Sequence, residues 1–179
     1  MSVEMPFAIL AEYERLSLAH QAGVPEQIEA PGLWRGIAFR VGARQLASGI
    51  GEVNEIMLPQ ALTPVPGTQG WLLGVANVRG NLVPVIDLGL FLFGSATLSG
   101  ERTRILLVRQ GNSGNVGLLV DEVAGQRSLS FEAQADAEGE DDPRLMRFVE
   151  RNVRLDGQRL GIFSMPRLTR AADFQQAAA

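Results

Sequence analysis

The residue types that most enzymes use for chemistry are scarce in this chain. Its 179 residues include one histidine, His20, and no cysteine, and all sixteen basic residues are arginine. A chain without lysine offers neither a Schiff base nor a phosphate-loop lysine. A chain with one histidine and no cysteine cannot assemble a zinc site from the usual ligands. We therefore predict no catalytic residue, no cofactor and no metal ion.

Carboxylates are the remaining side chains that could act in catalysis. Twenty aspartates and glutamates are present, but no pair stands out by its position. An enzyme that uses two carboxylates therefore remains an alternative, as does a β-barrel that holds a small apolar ligand. The net charge of −4 argues against nucleic acid as a partner, because phosphate binding needs a basic surface. No apolar run reaches the length of a membrane span and the N-terminus is unlike a secretion signal, so we expect a cytoplasmic protein without direct membrane insertion.

Two different periodicities divide the chain. Ile9, Tyr13 and Leu16 recur at helical spacing and predict a short leader helix over residues 5–21. Glycines and prolines between residues 22 and 32 then predict a linker. Beyond it, short apolar segments alternate with turn residues every eight to twelve positions, roughly the spacing of an all-β domain rather than of a βαβ sheet.

Turn residues locate the expected hairpins and helix ends. The hairpins are 34–41 with 45–48 across Gly42-Ala43, 73–79 with 82–87 across Gly80-Asn81, 104–109 with 116–120, and 153–155 with 159–163 across Asp156-Gly157. Residues 88–93 predict one helical turn, Asp142-Pro143 is a helix-start signal, and Pro166 opens a C-terminal helix. Residues 132–142 hold six acids and no base, which predicts a solvated loop.

The central hairpin carries the most specific pattern. Residues 71–88 are WLLGVANVRGNLVPVIDL, and this Asn-Val-Arg-Gly turn followed by Pro-Val-Ile-Asp-Leu resembles the signature of the CheW-like family. Residues 51–56 and 115–123 are similar to two further family segments, and residues 160–168 resemble the end of the family domain. The resemblance covers about residues 33–170.

The resemblance implies a mostly β fold of two intertwined five-stranded SH3-like barrels, with an N-terminal helical extension and a C-terminal helix. The expected organisation is a leader and linker at 1–32, a CheW-like domain at 33–170 and a tail at 171–179.

The resemblance also implies a function. Family members are non-enzymatic adaptors that couple the cytoplasmic tip of a chemoreceptor, at receptor arrays of the inner membrane, to the regulatory domain of a CheA-type histidine kinase. The leader, the acidic run and the all-arginine basic set most resemble the PilI-type branch, which serves type IV pilus twitching motility. A flagellar chemotaxis pathway is the alternative.

Seven residues match positions that the family uses for partner binding: Val53, Glu55, Ile56, Asn77, Arg79, Gly80 and Val123. The arginine matches the family residue tied to coupling, and the asparagine and glycine match the turn that presents it. The three residues near position 55 match a receptor-facing groove, and the last valine matches a position of the opposite barrel. The arginine is expected to project from a barrel rim.

These residues also have structural interpretations. Asn77 can bond the backbone of its own turn, the apolar members can be core residues, and Asp87 can cap the helical turn that follows it. Two departures from the family pattern affect the second barrel. Arg151 replaces a glycine, and Ile162-Phe163-Ser164 replaces Leu-Leu-Asp, which puts the helix cap there in doubt.

Overall fold

Short strands account for most of the described chain. The computed structural model describes residues 33–111, 114–130 and 142–177. The predicted leader helix and linker, and all but the last residue of the acidic run, lie outside these ranges. Within them, ten strands are formed: β1 (Leu33–Val41), β2 (Arg44–Gly49), β3 (Val53–Met57), β4 (Leu72–Val78), β5 (Asn81–Asp87), β6 (Arg104–Arg109), β7 (Asn115–Val120), β8 (Glu122–Ser130), β9 (Val149–Leu155) and β10 (Gln158–Phe163).

Helical structure is limited to short segments. The described residues form α1 (Leu88–Phe93), α2 (Pro143–Met146), α3 (Met165–Arg170) and α4 (Ala172–Gln175), with a 3-10 turn at Ile50–Glu52. The helix-start signal at Asp142-Pro143 is confirmed, because the Asp142 carboxylate accepts a 2.8 Å hydrogen bond from the Arg144 amide. The segment beyond residue 170, expected as a tail, contains α4, whose Phe174 is buried and stacks on Trp71 at 6.1 Å.

The strands form two five-stranded sheets, which confirms the predicted fold class. Sheet A has the order β8-β1-β2-β10-β9, and sheet B has the order β3-β6-β7-β5-β4. The described chain starts in sheet A with β1 and β2, builds all of sheet B, and returns to sheet A for its last three strands, so the two sheets are intertwined. Among the described residues each sheet is an open ladder, and closure into barrels stays a prediction.

The central hairpin turns one residue earlier than predicted. Val78 pairs with Asn81, so the turn is Arg79-Gly80 and the predicted Gly80-Asn81 turn is wrong. Arg79 and Gly80 have φ angles of 53° and 85°, the two positive angles that a tight two-residue hairpin requires. Arg79 therefore belongs to the turn itself, whereas the sequence analysis placed it at the end of the strand before the turn.

The two sheets share one pairing scheme. In sheet B, β3 pairs Val53 with Val108, skips one residue, and then pairs Glu55 with Leu107. In sheet A, β8 pairs Val123 with Phe39, skips one residue, and then continues along β1. The bulge thus occupies the same position in both sheets, and the correspondence aligns position 53 with 123 and position 55 with 125.

The correspondence extends through the remaining strands. The second turn, Asp156-Gly157, has φ angles of 50° and 78° and closes β9-β10 as Arg79-Gly80 closes β4-β5. The parallel pairs Val85↔Gly117 and Ile162↔Ala47 also coincide. Strands β8, β9, β10, β1 and β2 therefore correspond in order to β3, β4, β5, β6 and β7, and sheet A is a circular permutation of sheet B.

Alternation along the strands builds the core. In β6, Ile105 and Leu107 belong to a cluster within sheet B, whereas Leu106 and Val108 face a larger cluster shared by both sheets. This central core also contains Phe39 and Leu46 of sheet A. Burying one such side chain contributes roughly 1.5–3 kcal/mol, so the shared cluster holds the two sheets together.

The outer edge of β4 is covered by the chain itself. Thr63 and Val75 exchange two backbone hydrogen bonds of 2.9 Å. This approach depends on Gly74, which has a φ of 143° and at which a Cβ would collide with the Thr63 carbonyl. The proline-flanked segment around Thr63 thereby shields a sheet edge that is otherwise open to pairing with another chain.

Candidate partner-binding site

Two of the predicted partner contacts lie together at the edge of sheet B. The Arg79 guanidinium donates to a Glu55 carboxylate oxygen at 2.7 Å. The arginine side chain is 78% exposed and the glutamate side chain 31% exposed. The ion pair therefore ties the β4-β5 hairpin tip to the edge strand β3 while most of the arginine remains accessible.

The turn is arranged to present this arginine. The Asn77 side-chain oxygen accepts a 2.8 Å hydrogen bond from the Gly80 amide, so the structural interpretation of Asn77 is confirmed. The positive φ of Arg79 is unfavourable for a long side chain, because the left-handed region costs most residues about 1–2 kcal/mol. At the corresponding position sheet A has Asp156, and aspartate tolerates this conformation better.

Exposed apolar side chains lie near the ion-paired residues in the sequence. Ile56 is 40% exposed, Leu58 is 64% exposed and Leu82 is 74% exposed. Each lies within three residues of Glu55 or Arg79 in the sequence. Sequence reasoning missed the two leucines, although strand alternation marks Leu82: its neighbour Val83 is buried in the sheet B cluster, so position 82 must face the opposite side.

The two valines of the predicted set occupy matching places in different sheets. Val53 begins β3 and Val123 lies at the start of β8. Both are half-buried and pack against the central core. Their main contacts are thus structural, and the described contacts join Val123 to the core rather than to the Glu55–Arg79 pair.

Asp87 acts as a helix cap. It is 2% exposed, and its carboxylate accepts hydrogen bonds from the Leu90 amide at 3.1 Å and from the Thr97 amide and hydroxyl, both at 2.8 Å. These three bonds satisfy the buried carboxylate within the chain. The predicted structural role of Asp87 is confirmed.

Glu52 joins the two sheets, which sequence reasoning missed. It ends the 3-10 turn just before β3, and its carboxylate accepts a 2.8 Å hydrogen bond from the Met165 amide at the start of α3. Burial raises the pKa of Glu52 above its ordinary value, the hydrogen bond opposes this rise, and the nearby Glu150 carboxylate adds to it. The Ser164 side chain makes no hydrogen bond to the start of α3. Glu52, which is distant in the sequence, accepts the hydrogen bond from the first turn of α3, whereas Asp87 caps α1 from the residue directly before it.

The site can present charge and apolar surface together. A planar guanidinium fork suits a carboxylate or a pair of carbonyls, and the exposed leucines and isoleucine are apolar surface that a partner can cover. Within the described ranges, no three potential metal ligands lie together. A search of the same residues finds no helix with the length and apolarity of a membrane span.

Comparisons with known proteins give a consistent result. The family model of the CheW-like domain matches residues 35–173. Protein PilI of Pseudomonas aeruginosa is 38% identical over 125 residues, 70% of this chain and 70% of that protein. The chemotaxis protein CheW of Rhizobium meliloti is 38% identical over 94 residues, 52% of this chain and 60% of that protein.

Solved structures include one of the same fold. The scaffolding protein TtCheW from Thermoanaerobacter tengcongensis superposes with a TM-score of 0.69 at 20% sequence identity, covering 83% of this chain and 95% of that one.

Proposed function

The chain belongs to the CheW-like family, and from this membership we propose that it is a non-enzymatic adaptor that couples a chemoreceptor to a CheA-type histidine kinase. The receptor tip and the kinase regulatory domain are the proposed partners. The observation that carries the proposal is Arg79, a long charged side chain held in an unfavourable backbone conformation and left 78% exposed. Such strain persists mainly where a site uses it.

The ion pair with Glu55 refines this proposal. Two residues expected to meet partners satisfy each other at 2.7 Å. An exposed ion pair of this kind contributes about 0–1 kcal/mol, so a partner carboxylate or carbonyl can share or replace it at small cost. Glu55 then positions the guanidinium in the free protein, and Arg79 is the group that a partner recognises.

We infer the pathway from the similarity to relatives. Similarity to PilI of Pseudomonas aeruginosa favours a pathway that controls type IV pilus twitching motility. Similarity to a chemotaxis CheW over a shorter span favours the alternative of flagellar chemotaxis. In either pathway we place the protein in the cytoplasm, recruited to receptor arrays. Residues 1–32 form a separate leader in this proposal, and residues 33–170 form the CheW-like domain.

The test is titration of Arg79→Asp against receptor-tip and kinase regulatory-domain preparations. Loss of a paired interface charge costs roughly 2–5 kcal/mol, which is at least a thirtyfold loss of affinity. The melting temperature should change little, because exposed substitutions shift stability by about 0.5 kcal/mol. Asp156→Asn, at the corresponding turn, is the control and should bind normally. Unchanged affinity for both partners together with a lowered melting temperature would contradict the proposal.

A charge exchange separates the two roles of the arginine. The double variant Glu55→Arg with Arg79→Glu can re-form the ion pair in reverse. If partners recognise the guanidinium at position 79, the exchange restores thermal stability but not binding. Recovery of binding would show instead that the pair matters only for holding β3 to the hairpin tip.

A further inference from the structure

A bulge in β3 decides which face of sheet B Glu55 occupies. Val53 pairs with Val108 of β6. The next paired residue of β3 is Glu55, opposite Leu107, so Asn54 is the extra residue of the bulge. Residues directly opposite each other in a ladder share a face of the sheet. Because Val108 belongs to the central core and Leu107 to the cluster within sheet B, the bulge moves Glu55 from the first face to the second.

This second face is the one on which the hairpin tip lies. Val78, the residue before Arg79, belongs to the same sheet B cluster as Leu107. In a strand without a bulge, residues two apart share a face, so Glu55 would lie on the same face as Val53, which packs against the central core. The 2.7 Å ion pair between Arg79 and Glu55 therefore depends on the bulge.

A side-chain hydrogen bond holds the extra residue in place. The Asn54 amide donates to the Asn115 side-chain oxygen at 3.1 Å, and both residues are exposed. Asn115 begins β7, and β6 lies between β7 and β3 in the sheet. The bond therefore reaches past the end of β6 and ties the bulge to a strand with which β3 does not pair.

Sheet A forms the corresponding bulge in a different way. Its extra residue is Ala124, whose side chain cannot form a hydrogen bond, and the next residue, Gly125, has a φ of 90°. Glycine adopts a positive φ without the steric cost that other residues meet. Glu55, at the position that corresponds to Gly125, is not among the described residues with a positive φ. Sheet A thus relies on a glycine at this bulge, whereas sheet B has a charged residue there and a side-chain bond beside it.

We infer that Asn54 and Asn115 are positioning residues for partner recognition. Their hydrogen bond fixes the bulge, the bulge directs Glu55 to the face of the hairpin tip, and Glu55 holds the Arg79 guanidinium. Neither asparagine has to touch a partner. The inference rests on the proposed coupling role of Arg79 and adds two residues to it.

The test uses the full chain, titrated against the partner whose binding Arg79→Asp weakens. Asn115→Ala removes the acceptor and should weaken binding about three- to tenfold, the range that matches the net contribution of one hydrogen bond. Asn115→Asp keeps an acceptor for the Asn54 amide and should bind like the unmodified protein. Gln45 corresponds to Asn115 in sheet A, so Gln45→Ala is the matched control and should bind normally. The melting temperatures of all three variants should change little.

A second background separates positioning from direct contact. In Glu55→Ala protein there is no glutamate to direct, so adding Asn115→Ala should cause no further loss of binding. Three results would overturn the inference: a further loss of the same size in this background, failure of Asn115→Asp to restore binding, and equal weakening by Gln45→Ala.

Comparison with Arg79→Asp distinguishes the two proposals. If Arg79→Asp weakens binding and Asn115→Ala does not, the positioning role is wrong and the coupling proposal stands. If Arg79→Asp binds both partners normally, the coupling proposal fails and the positioning role fails with it.

Discussion

Sheets A and B use the same strand pairing to present different chemistry. Both have a bulge after a valine, a parallel central pair and a hairpin closed by two residues of positive φ. At the hairpin tip, however, sheet B has Arg79 and sheet A has Asp156. Pairing depends on the bulge, the turns and the inward apolar positions, so outward residues can diverge without changing the fold. One architecture thereby supplies two unlike surfaces.

The helices that follow the corresponding strands β5 and β10 also differ in how their first turns are capped. Asp87 caps α1 within the same segment of chain. In the corresponding place Ser164 makes no side-chain cap, and Glu52 supplies the acceptor from the crossover between the sheets. The helix after β5 is thus capped by its own segment of chain, whereas the helix after β10 depends on Glu52, which directly precedes β3.

The largest expected difference between the sheets is at Gly74 and its counterpart Arg151. Gly74→Ala places a Cβ against the Thr63 carbonyl at a positive φ, and collision and strain together should cost about 2–4 kcal/mol. Arg151→Ala should cost about 1 kcal/mol or less. Chemical denaturation of both variants measures the difference. A Gly74→Ala protein as stable as the unmodified chain would show that the segment around Thr63 is not held against β4.

Much of this fold is predictable because short-range signals determine it. Gly42, Asp156-Gly157 and Asp142-Pro143 identify turns and a helix start from residue type alone. The Arg79-Gly80 turn is misplaced because Gly-Asn and Arg-Gly both contain the required glycine, and asparagine is the more usual partner. The structure puts the rarer choice, arginine, in the turn.

The features that sequence reasoning misses depend on contacts between distant segments. Glu52 and Met165 are far apart in the chain, and nothing near either residue indicates their hydrogen bond. The sheet correspondence is hidden because sheet A is divided between the two ends of the β domain and few matching positions keep the same residue.

The second prediction tests the two helix starts. Asp87→Ala leaves the amides of Leu90 and Thr97 without their acceptor and should cost about 2–3 kcal/mol. Ser164→Ala removes a hydroxyl that caps nothing and should cost about 0.5 kcal/mol. Thermal unfolding of the two variants under identical conditions checks this order. Equal losses would mean that the two helices begin in the same way.

The third prediction concerns Glu52 and pH. Its folded-state pKa is raised from 4.5, mainly by burial, so this group stabilises the fold most below that value and less as pH rises through the folded pKa. Glu52→Gln keeps an acceptor for Met165 without the charge, so its stability relative to the unmodified chain should increase from acidic to neutral pH. Glu52→Ala, which lacks the acceptor, should cost about 1 kcal/mol.

Denaturation of both Glu52 variants below pH 4.5 and at neutral pH provides the measurement. Glu101→Gln removes an exposed carboxylate and serves as the control for general charge effects. If the relative stability of Glu52→Gln instead decreases toward neutral pH, the pKa of this carboxyl group is lowered rather than raised in the folded protein.

The smallest expected effect is at the two hairpin tips, where opposing contributions nearly cancel. Arg79→Asn relieves a backbone conformation that asparagine tolerates better but removes the ion pair with Glu55, worth about 0–1 kcal/mol. Its net effect on unfolding should therefore stay within about 0.5 kcal/mol. Asp156→Arg has no such compensation, because Gly125 stands where sheet B has Glu55, and it should destabilise the protein more than Arg79→Asn does. If Asp156→Arg is the better tolerated variant, the backbone at position 79 is unstrained, and the positive φ of Arg79 no longer supports its assignment as a partner contact.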